Sequence, residues 1–385
     1  MFDSPANDTN PRYHPPGIDF GKFDNLKCLG IGSLIGSLKQ DSLLFAVRSQ
    51  FVGQVPSDQS DLNVHLIKRA AIVDLNADLD ANELFDNCPV HGLSVPSQAE
   101  QPQTADNLSA QTMQKTWNTI KSTAGLMTAN ANFSLNDEIL KMFNETDSFF
   151  YAENGDLTNS LQRKNTSQYL ELCAKETPFW QRADDRFFFN RHLLGFLIDR
   201  AADEPQLASF IVPIMQGFVQ IEDCKISLEE TNEFRLILIS RRSRFHAGTR
   251  FKRRGVDENG RCANYVETEQ ILKCAQHTVS FVQVRGSIPV FWSQPGLAYR
   301  PTPVLDRTMA ESQAAFRKHF EQEFALYDSV IAISLIERNG RESIIGDAYL
   351  NCVLDFDSEK LSYITFDFHD KCRQGFVTRA VSWNR

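Results

Sequence analysis

The sequence predicts an α+β protein, with a β-rich first part and a second part in which strands alternate with helices. Two observations carry this. From Cys28 to Val52 apolar and small residues alternate, broken by Gly30, Gly32 and Gly36, as in short strands in meander order. From Arg307 onward a helical pattern, a strand, a second helical pattern and a second strand follow one another. The length of 385 residues allows about two or three domains and a sizeable core.

Residues 1–17 are rich in Pro and Asn and are expected to be disordered. After the meander, which reads as two or three strands, His65 to Leu75 supplies another strand and Asp78 to Phe85 a short helix. The glycines resemble a phosphate loop, but no lysine follows in the required place, so they are read as turn residues. Residues 94–115 are polar and almost free of large apolar groups, a flexible insertion. An amphipathic helix is expected from Asp137 to Phe143, and Phe149 to Tyr151 suit a strand end. Arg182, Asp184, Asp185 and Arg186 beside three phenylalanines suggest charges tied into a packed junction, and a boundary is placed there. It divides an N-terminal subdomain, 18–180, from a second subdomain, 181–373, followed by a tail, 374–385.

Phe210 to Ile221 and Phe234 to Ile239 read as strands, with an acidic hairpin or loop at 225–233 between them. Arg307 to Tyr327 is the clearest helix. Thr308 and Glu311 have capping-box spacing, in which hydroxyl and carboxylate satisfy the helix's first amides reciprocally. Phe316, Phe320 and Phe324 fall on one face. Val330 to Ile336 reads as a buried strand ended by Asn339-Gly340, Ile345 to Leu354 as a helix, and Leu361 to Phe366 as a strand delivering Asp367, Phe368 and His369.

Bulk properties bound the function. The chain is 42 % hydrophobic and 23 % charged, ordinary values for a soluble protein, with a formal net charge of −9. An acidic chain argues against a dedicated nucleic-acid binder, although Phe245 and Phe251 interleave with arginines. The N-terminus lacks a signal-peptide pattern. No apolar run approaches the ~18–20 residues of a membrane span. The 8 cysteines stand singly with no CxxC pair, which speaks against a zinc site or a disulfide framework and for reduced thiols in the cytosol. The sequons at Asn144 and Asn165 are then idle.

The centre of the chain runs against its overall sign. Arg241, Arg242, Arg244, Arg250, Lys252, Arg253 and Arg254 follow one another with no acidic residue before Asp257. An anionic ligand is the natural candidate. Arg250, Lys252, Arg253 and Arg254 either line a phosphate-binding face or pair with Asp257, Glu267 or Glu269 to hold the core. The later VRGSIPVFWSQ sets Arg285 and Gly286 beside Pro289, Phe291 and Trp292, a shaped wall rather than a solvated loop.

RRSRFHAGTRFKRRGVDENGRCANYVETEQ followed by SFVQVRGSIPVFWSQ resembles the signature of the SAC-domain phosphoinositide phosphatases, the group that contains the synaptojanins. The likeness extends through FFYAENGDLTNSLQR, ADDRFFFNRHLL, IVPIMQGFVQIE, GRESIIGDAYL and SYITFDFHDKCR, from about Cys28 to Arg373. The last two segments with KRRGVD look most like the phosphatidylinositol 4-phosphatase branch called inositol polyphosphate phosphatase F. The resemblance implies an N-terminal β-rich subdomain packed on an α/β catalytic subdomain. It also implies hydrolysis of an inositol-ring phosphate at the cytosolic face of endosomal or other endomembranes, with phosphoinositide lipids as partners, peripheral membrane contact and no transmembrane span. In such a family a Cys-x5-Arg loop supplies a thiolate that attacks phosphorus, while loop amides and the arginine hold the equatorial oxygens. That scheme needs no metal or cofactor.

One departure matters. None of the 8 cysteines has an arginine six positions later; Cys372 has Arg379 seven positions on, which breaks the register. The resemblance places the loop, of the NCxDCLDRTN kind, well beyond FDFH, and only 16 residues follow His369. The expectation is therefore a truncated family member without its nucleophile, and so without a catalytic residue. Its phosphate- or lipid-binding candidates are Arg250, Lys252, Arg253, Arg254 and Arg285. Asp367 and His369, two apart on a strand end, are supporting candidates, as an acid/base pair or as a buried polar junction. An alternative is a non-catalytic module that binds phosphoinositide membranes. A sheet left without its cover also implies marginal stability.

Overall fold

The computed structural model of the protein describes residues 34–39, 42–57, 60–74, 135–227, 231–245, 254–275, 277–295, 301–337 and 340–367. The N-terminal 17 residues, the helix expected at Asp78 to Phe85, the insertion at 94–115 and the tail at 374–385 lie outside the described residues. The fold is α+β: a large antiparallel sheet with several helices. The chain divides into two compact units, residues 1–49 with 68–147 and residues 50–67 with 148–385.

In the first unit, β1 (Leu34–Lys39) and β2 (Ser42–Val55) form the antiparallel hairpin that the glycine-punctuated alternation predicts. Leu34, Ile35, Leu43 and Leu44 are all buried, so apolar groups on both faces of the hairpin are covered. The second half of β3 (Leu62–Asp74) belongs here, with α1 (Leu135–Glu145). Asn144 in the last turn of α1 treats Ala70 of β3 as a strand neighbour would. Its Oδ1 accepts from Ala70 N at 2.7 Å and its Nδ2 donates to Ala70 O at 3.3 Å.

In the second unit the sheet runs from the remaining parts of β2 and β3 through β4 (Phe149–Ala152), β5 (Met215–Ser227), β6 (Thr231–Arg242), β7 (Val266–Cys274) and β8 (His277–Arg285) in chain order. Every pairing from β3 to β8 is antiparallel. The strand read from Phe210 starts only at Met215. Residues 205–210 close a 3₁₀ turn, and Pro213 has no N–H to give to a ladder. The strands also run further than the acidic loop suggested, since β5 and β6 pair out to Ser227 and Thr231. Gly217 allows the close approach of these two strands, because a Cβ there would lie 1.8 Å from Ser240 O. Val55, Leu62, Val64, Phe150, Leu157, Met215, Ile237, Ile239 and Ile271 form the core beneath the sheet.

Four short helices follow β4 and precede β5: α2 (Leu161–Lys164), α3 (Ser167–Ala174), α4 (Phe179–Arg182) and α5 (Gly195–Arg200). Ser160 and Thr166 cap the first two by accepting from Arg163 N and Tyr169 N. After β8 the small strands β9 (Trp292–Ser293) and β10 (Val304–Leu305) lead into α6 (Met309–Tyr327), where Thr308 and Glu311 form the expected capping box. Phe316 and Phe320 pack against each other along its inner face, their rings tilted and their centroids 4.7 Å apart.

The alternation read in the second half is realised by β11 (Val330–Ser334), α7 (Ser343–Phe356) and β12 (Leu361–Thr365). The two strands are parallel and α7 is the crossover. Val330, Ala332, Leu361 and Tyr363 face the core formed by α6 and α7. The strand read as buried from Val330 to Ile336 is buried on that face only. Ile331 and Ile333 alternate outward and are exposed.

Candidate functional site

The first cations of the basic stretch are structural. On β6, Ile237, Ile239 and Arg241 point to one side, and on β7 so do Ile271, Glu269 and Glu267. The buried apolar stripe of both strands thus turns ionic at one end. Arg241 Nη1 lies 3.2 Å from Glu267 Oε1 and its Nη2 2.6 Å from Glu269 Oε2. The remaining donors meet main-chain acceptors, Nε to Leu157 O at 2.9 Å and Nη2 to Asn159 O at 3.2 Å. Burial opposes the charge on Arg241, but Glu269 and Glu267 outweigh it and raise its pKa. An anionic ligand for Arg241 is therefore replaced by two internal carboxylates. Arg244 is likewise engaged, reaching both oxygens of Asp185 at 2.8 and 2.9 Å.

The carbonyls that receive Arg241 come from the loop NGDLTNS, which holds its own shape. Asp156 Oδ1 accepts from Thr158 N and Oγ1 at 2.8 and 2.6 Å, and its Oδ2 accepts from Asn159 Nδ2 at 2.6 Å. Buried Lys164 donates to Asp156 O at 2.8 Å. Glu269 closes the loop by accepting from Leu161 N at 2.8 Å, and also from Ser280 Oγ at 2.7 Å.

A second network adjoins it through Glu267. Arg186 grips Asp184 with Nε and Nη2, and its Nη1 donates to the hydroxyls of Tyr265 and Tyr327 at 2.9 and 3.2 Å. Tyr327 donates to Glu267, and Tyr265 to Glu323 at 3.0 Å. Burial pushes the Asp184 carboxyl up, yet Arg186, helped by Arg163, holds it below its ordinary value. Burial drives both tyrosine hydroxyls far above their ordinary value, so they remain donors. This is the packed charged junction that the sequence around Asp184 and Arg186 predicts.

The later part of the stretch builds a surface feature. Residues 254–263 fold back on themselves at a turn capped by Asp257, whose Oδ1 accepts from Asn259 N and Arg261 N at 2.9 and 2.8 Å. The turn seats on α6. Gly260, at φ +80°, leaves room for the His319 backbone, and His319 Nδ1 donates to Gly260 O at 3.0 Å. Burial lowers the His319 pKa and raises that of Cys262, whose Sγ lies 3.6 Å from the ring, so neither is charged near neutrality. The turn also locks to the segment after β8. Gly255 N donates to Ser287 Oγ at 2.9 Å, and Ser287 N to Ala263 O at 2.9 Å. Gly255 sits at φ +74°, and a Cβ there would lie 2.5 Å from Val290 O.

Two predicted site residues lie next to this lock in sequence. Arg254 precedes Gly255, and its guanidinium carbon is 5.5 Å from the centroid of the Trp292 ring. Arg285 ends β8 opposite Val266, exposed, two residues before Ser287. Behind them Val290, Phe291 and Trp292 are buried, the wall that their composition suggested. Asp367 follows β12, at the C-terminal end of the parallel pair. Arg250, Lys252, Arg253 and His369 lie outside the described residues. The buried quartet of Arg241, Glu267, Glu269 and Asp156 was not foreseen as a unit. Its signal was the period-two spacing that puts two glutamates on the same face as Ile271.

A sheet entered through an NGDLTNS loop, an arginine-rich strand end and a GVDENGRC turn locked to a VRGSIPVFW wall define the class of SAC-type phosphoinositide phosphatase domains. Residues 28–373 match the family model Syja_N, described as the SacI homology domain. The chain belongs to that family. It is 37 % identical over 396 residues to the phosphatidylinositide phosphatase SAC2 of Danio rerio, covering 93 % of this chain and 34 % of that protein. It is 45 % identical over 259 residues to the human protein of the same name, covering 62 % of this chain and 22 % of the relative. The phosphatidylinositol-3-phosphatase SAC1 of Saccharomyces cerevisiae is 34 % identical over 255 residues, 64 % of this chain and 38 % of its own length. The chain spans about a third of the length of the Danio rerio relative.

Proposed function

We propose that these 385 residues form the framework and phosphate-recognition part of a phosphoinositide phosphatase. In this reading Arg254 and Arg285, joined by Arg250, Lys252 and Arg253, contact the inositol-ring phosphate of phosphatidylinositol 4-phosphate. Asp367 and His369 support that face, and residues 18–180 and 181–373 are its two subdomains. The observation that supports this reading is the lock between Gly255 and Ser287, which ties the backbone next to Arg254 to the segment that follows exposed Arg285. Arginine suits a phosphate, because its planar guanidinium can donate two hydrogen bonds at once. The names of the relatives, which describe phosphatidylinositide and phosphatidylinositol-3-phosphate chemistry, support the substrate class.

Binding without hydrolysis is the second half of the proposal, because no cysteine of these residues carries an arginine six positions on. No helix among the described residues is long and apolar enough to cross a membrane. In this reading lipid contact is peripheral, at the cytosolic face of endosomal or other endomembranes, as the family resemblance implies.

Co-sedimentation with liposomes carrying phosphatidylinositol 4-phosphate or 3-phosphate tests the binding. The expected result is salt-sensitive binding that prefers the 4-phosphate and weakens in the R254E/R285E double variant. Absence of salt-sensitive binding would overturn it. A phosphate-release assay tests the second half; turnover that Cys372→Ser abolishes would revive the near-miss loop.

A further inference from the structure

Asp185 is shared by two arginines. Arg244 Nη2 lies 2.8 and 2.9 Å from its two carboxylate oxygens, and Arg244 Nε donates to its backbone oxygen at 2.7 Å. Arg191 Nε lies 3.2 Å from the same Oδ1. A third guanidinium joins them through an aromatic ring. The guanidinium carbon of Arg244 is 4.3 Å from the centroid of Phe245, and that of Arg261 is 3.7 Å from the same centroid. Asp185 is the one carboxylate that pairs with these three cations among the described residues. Asp257 is close to Arg261 in sequence, but its Oδ1 is taken by the backbone amides of Asn259 and Arg261.

Stability does not account for such a cluster. Like charges gathered around one ring repel one another, and an exposed ion pair returns at most about 1 kcal/mol. The arrangement also runs against the formal net charge of −9. What it does provide is orientation. Stacking on Phe245 fixes the plane of the Arg261 guanidinium and leaves its N–H edge for an acceptor. Arg191, whose side chain is 41 % exposed, meets Asp185 through Nε at the other end of the cluster.

We propose that Arg191, Arg244 and Arg261 form a second phosphate-binding cluster, made of residues other than Arg254 and Arg285. Its ligand is a phosphate oxyanion, free or carried by a phospholipid headgroup, whose oxygens match the planar donor fork of arginine. Arg261 supplies the stacked fork, and Arg244, held by Asp185, fixes the ring from its own side. The cluster uses none of the residues placed at the inositol-ring phosphate, so either reading can fail without the other.

Two assays on the 385-residue chain separate the sources. Calorimetric titration with inorganic phosphate reads the free ligand. Co-sedimentation with phosphatidylcholine vesicles that contain phosphatidylserine and no phosphoinositide reads the headgroup. The expected result is binding in at least one assay that falls about fivefold in R261Q and further in R191Q/R261Q. A loss in the titration alone assigns the cluster to free phosphate; a loss in sedimentation assigns it to a headgroup. R261Q removes the stacked arginine and leaves both pairs with Asp185 intact, so it decides the matter where the double variant fails to fold. Arg317→Gln makes the same change of charge at an arginine paired with Asp355 and should bind as the parent does. Absence of parent binding in both assays, equal binding by parent and R261Q, or an equal loss in Arg317→Gln would overturn the proposal.

Discussion

Glu269 Oε2 lies 2.6 Å from Arg241 Nη2, and both side chains are excluded from solvent. The pair joins neighbouring strands and, through the opposite oxygen of Glu269, the start of α2. Two buried charges are costly to desolvate, and the arrangement holds because the donors of Arg241 are met by carboxylates and carbonyls.

Removing the cation should therefore be far worse than removing an exposed one. Arg241→Met leaves Glu267 and Glu269 buried without their partner, and the expected loss is about 3–5 kcal/mol. A urea denaturation curve measures it. Lys68→Met, which breaks a surface pair with Asp147, should shift the midpoint by less than about 1 kcal/mol.

His319 predicts a pH dependence. Its folded pKa lies below the ordinary 6.5 because burial disfavours the charged ring. Below about pH 6.5 the unfolded chain binds more protons at this site than the folded chain does. The stability it contributes is thus present above that pH and is lost as the pH falls toward the lowered folded value. His319→Gln can keep the bond to Gly260 O without titrating. Melting temperatures recorded across this window should fall less steeply on acidification in His319→Gln than in the parent.

Gly255→Ala tests the junction between turn and wall. The residue sits at φ +74° with a would-be Cβ 2.5 Å from a backbone oxygen, so neither conformation nor space suits a side chain. A loss of more than about 1 kcal/mol is expected. Faster amide exchange at residues 285–292, with the β5 to β8 ladder intact, would locate it at the junction.

Arg285→Gln should weaken binding to liposomes containing phosphatidylinositol 4-phosphate by about fivefold and flatten its salt dependence, as loss of one surface cation implies. Stability should stay within about 0.5 kcal/mol of the parent. Equal binding by parent and variant at low salt would remove Arg285 from the site.

Elements set by local rules were legible in the sequence. The capping box of α6 and its phenylalanine stripe rest on near neighbours and formed where expected, and the strands read at His65 to Leu75 and Phe234 to Ile239 overlap β3 and β6. Strand ends were less legible, because Met215 rather than Phe210 opens β5 for a reason that includes Asn190, whose side chain takes Ile214 N at 2.8 Å. The role of Arg241 was not legible, for the same physical cause. Arg241 looks like the other arginines of the stretch in sequence, and only pairing across β6 and β7 brings it to two buried carboxylates. Likewise Val330 to Ile336 is apolar but for Ser334, and composition alone does not tell a strand covered on both faces from one covered on a single face.

The loop around Asp156 has a consequence for synthesis of the chain. Leu161 leaves the ribosome 108 residues before Glu269, the acceptor of its amide. At typical translation speeds that interval lasts roughly 5–20 s. Throughout it the Leu157 and Asn159 carbonyls also wait for Arg241, and Arg241, once made, waits for both of its carboxylates. The ionic centre is thus assembled late, after the polypeptide on either side of it has had time to collapse, and a pause in translation between Arg241 and Glu269 would prolong the exposure of a lone cation destined for the interior.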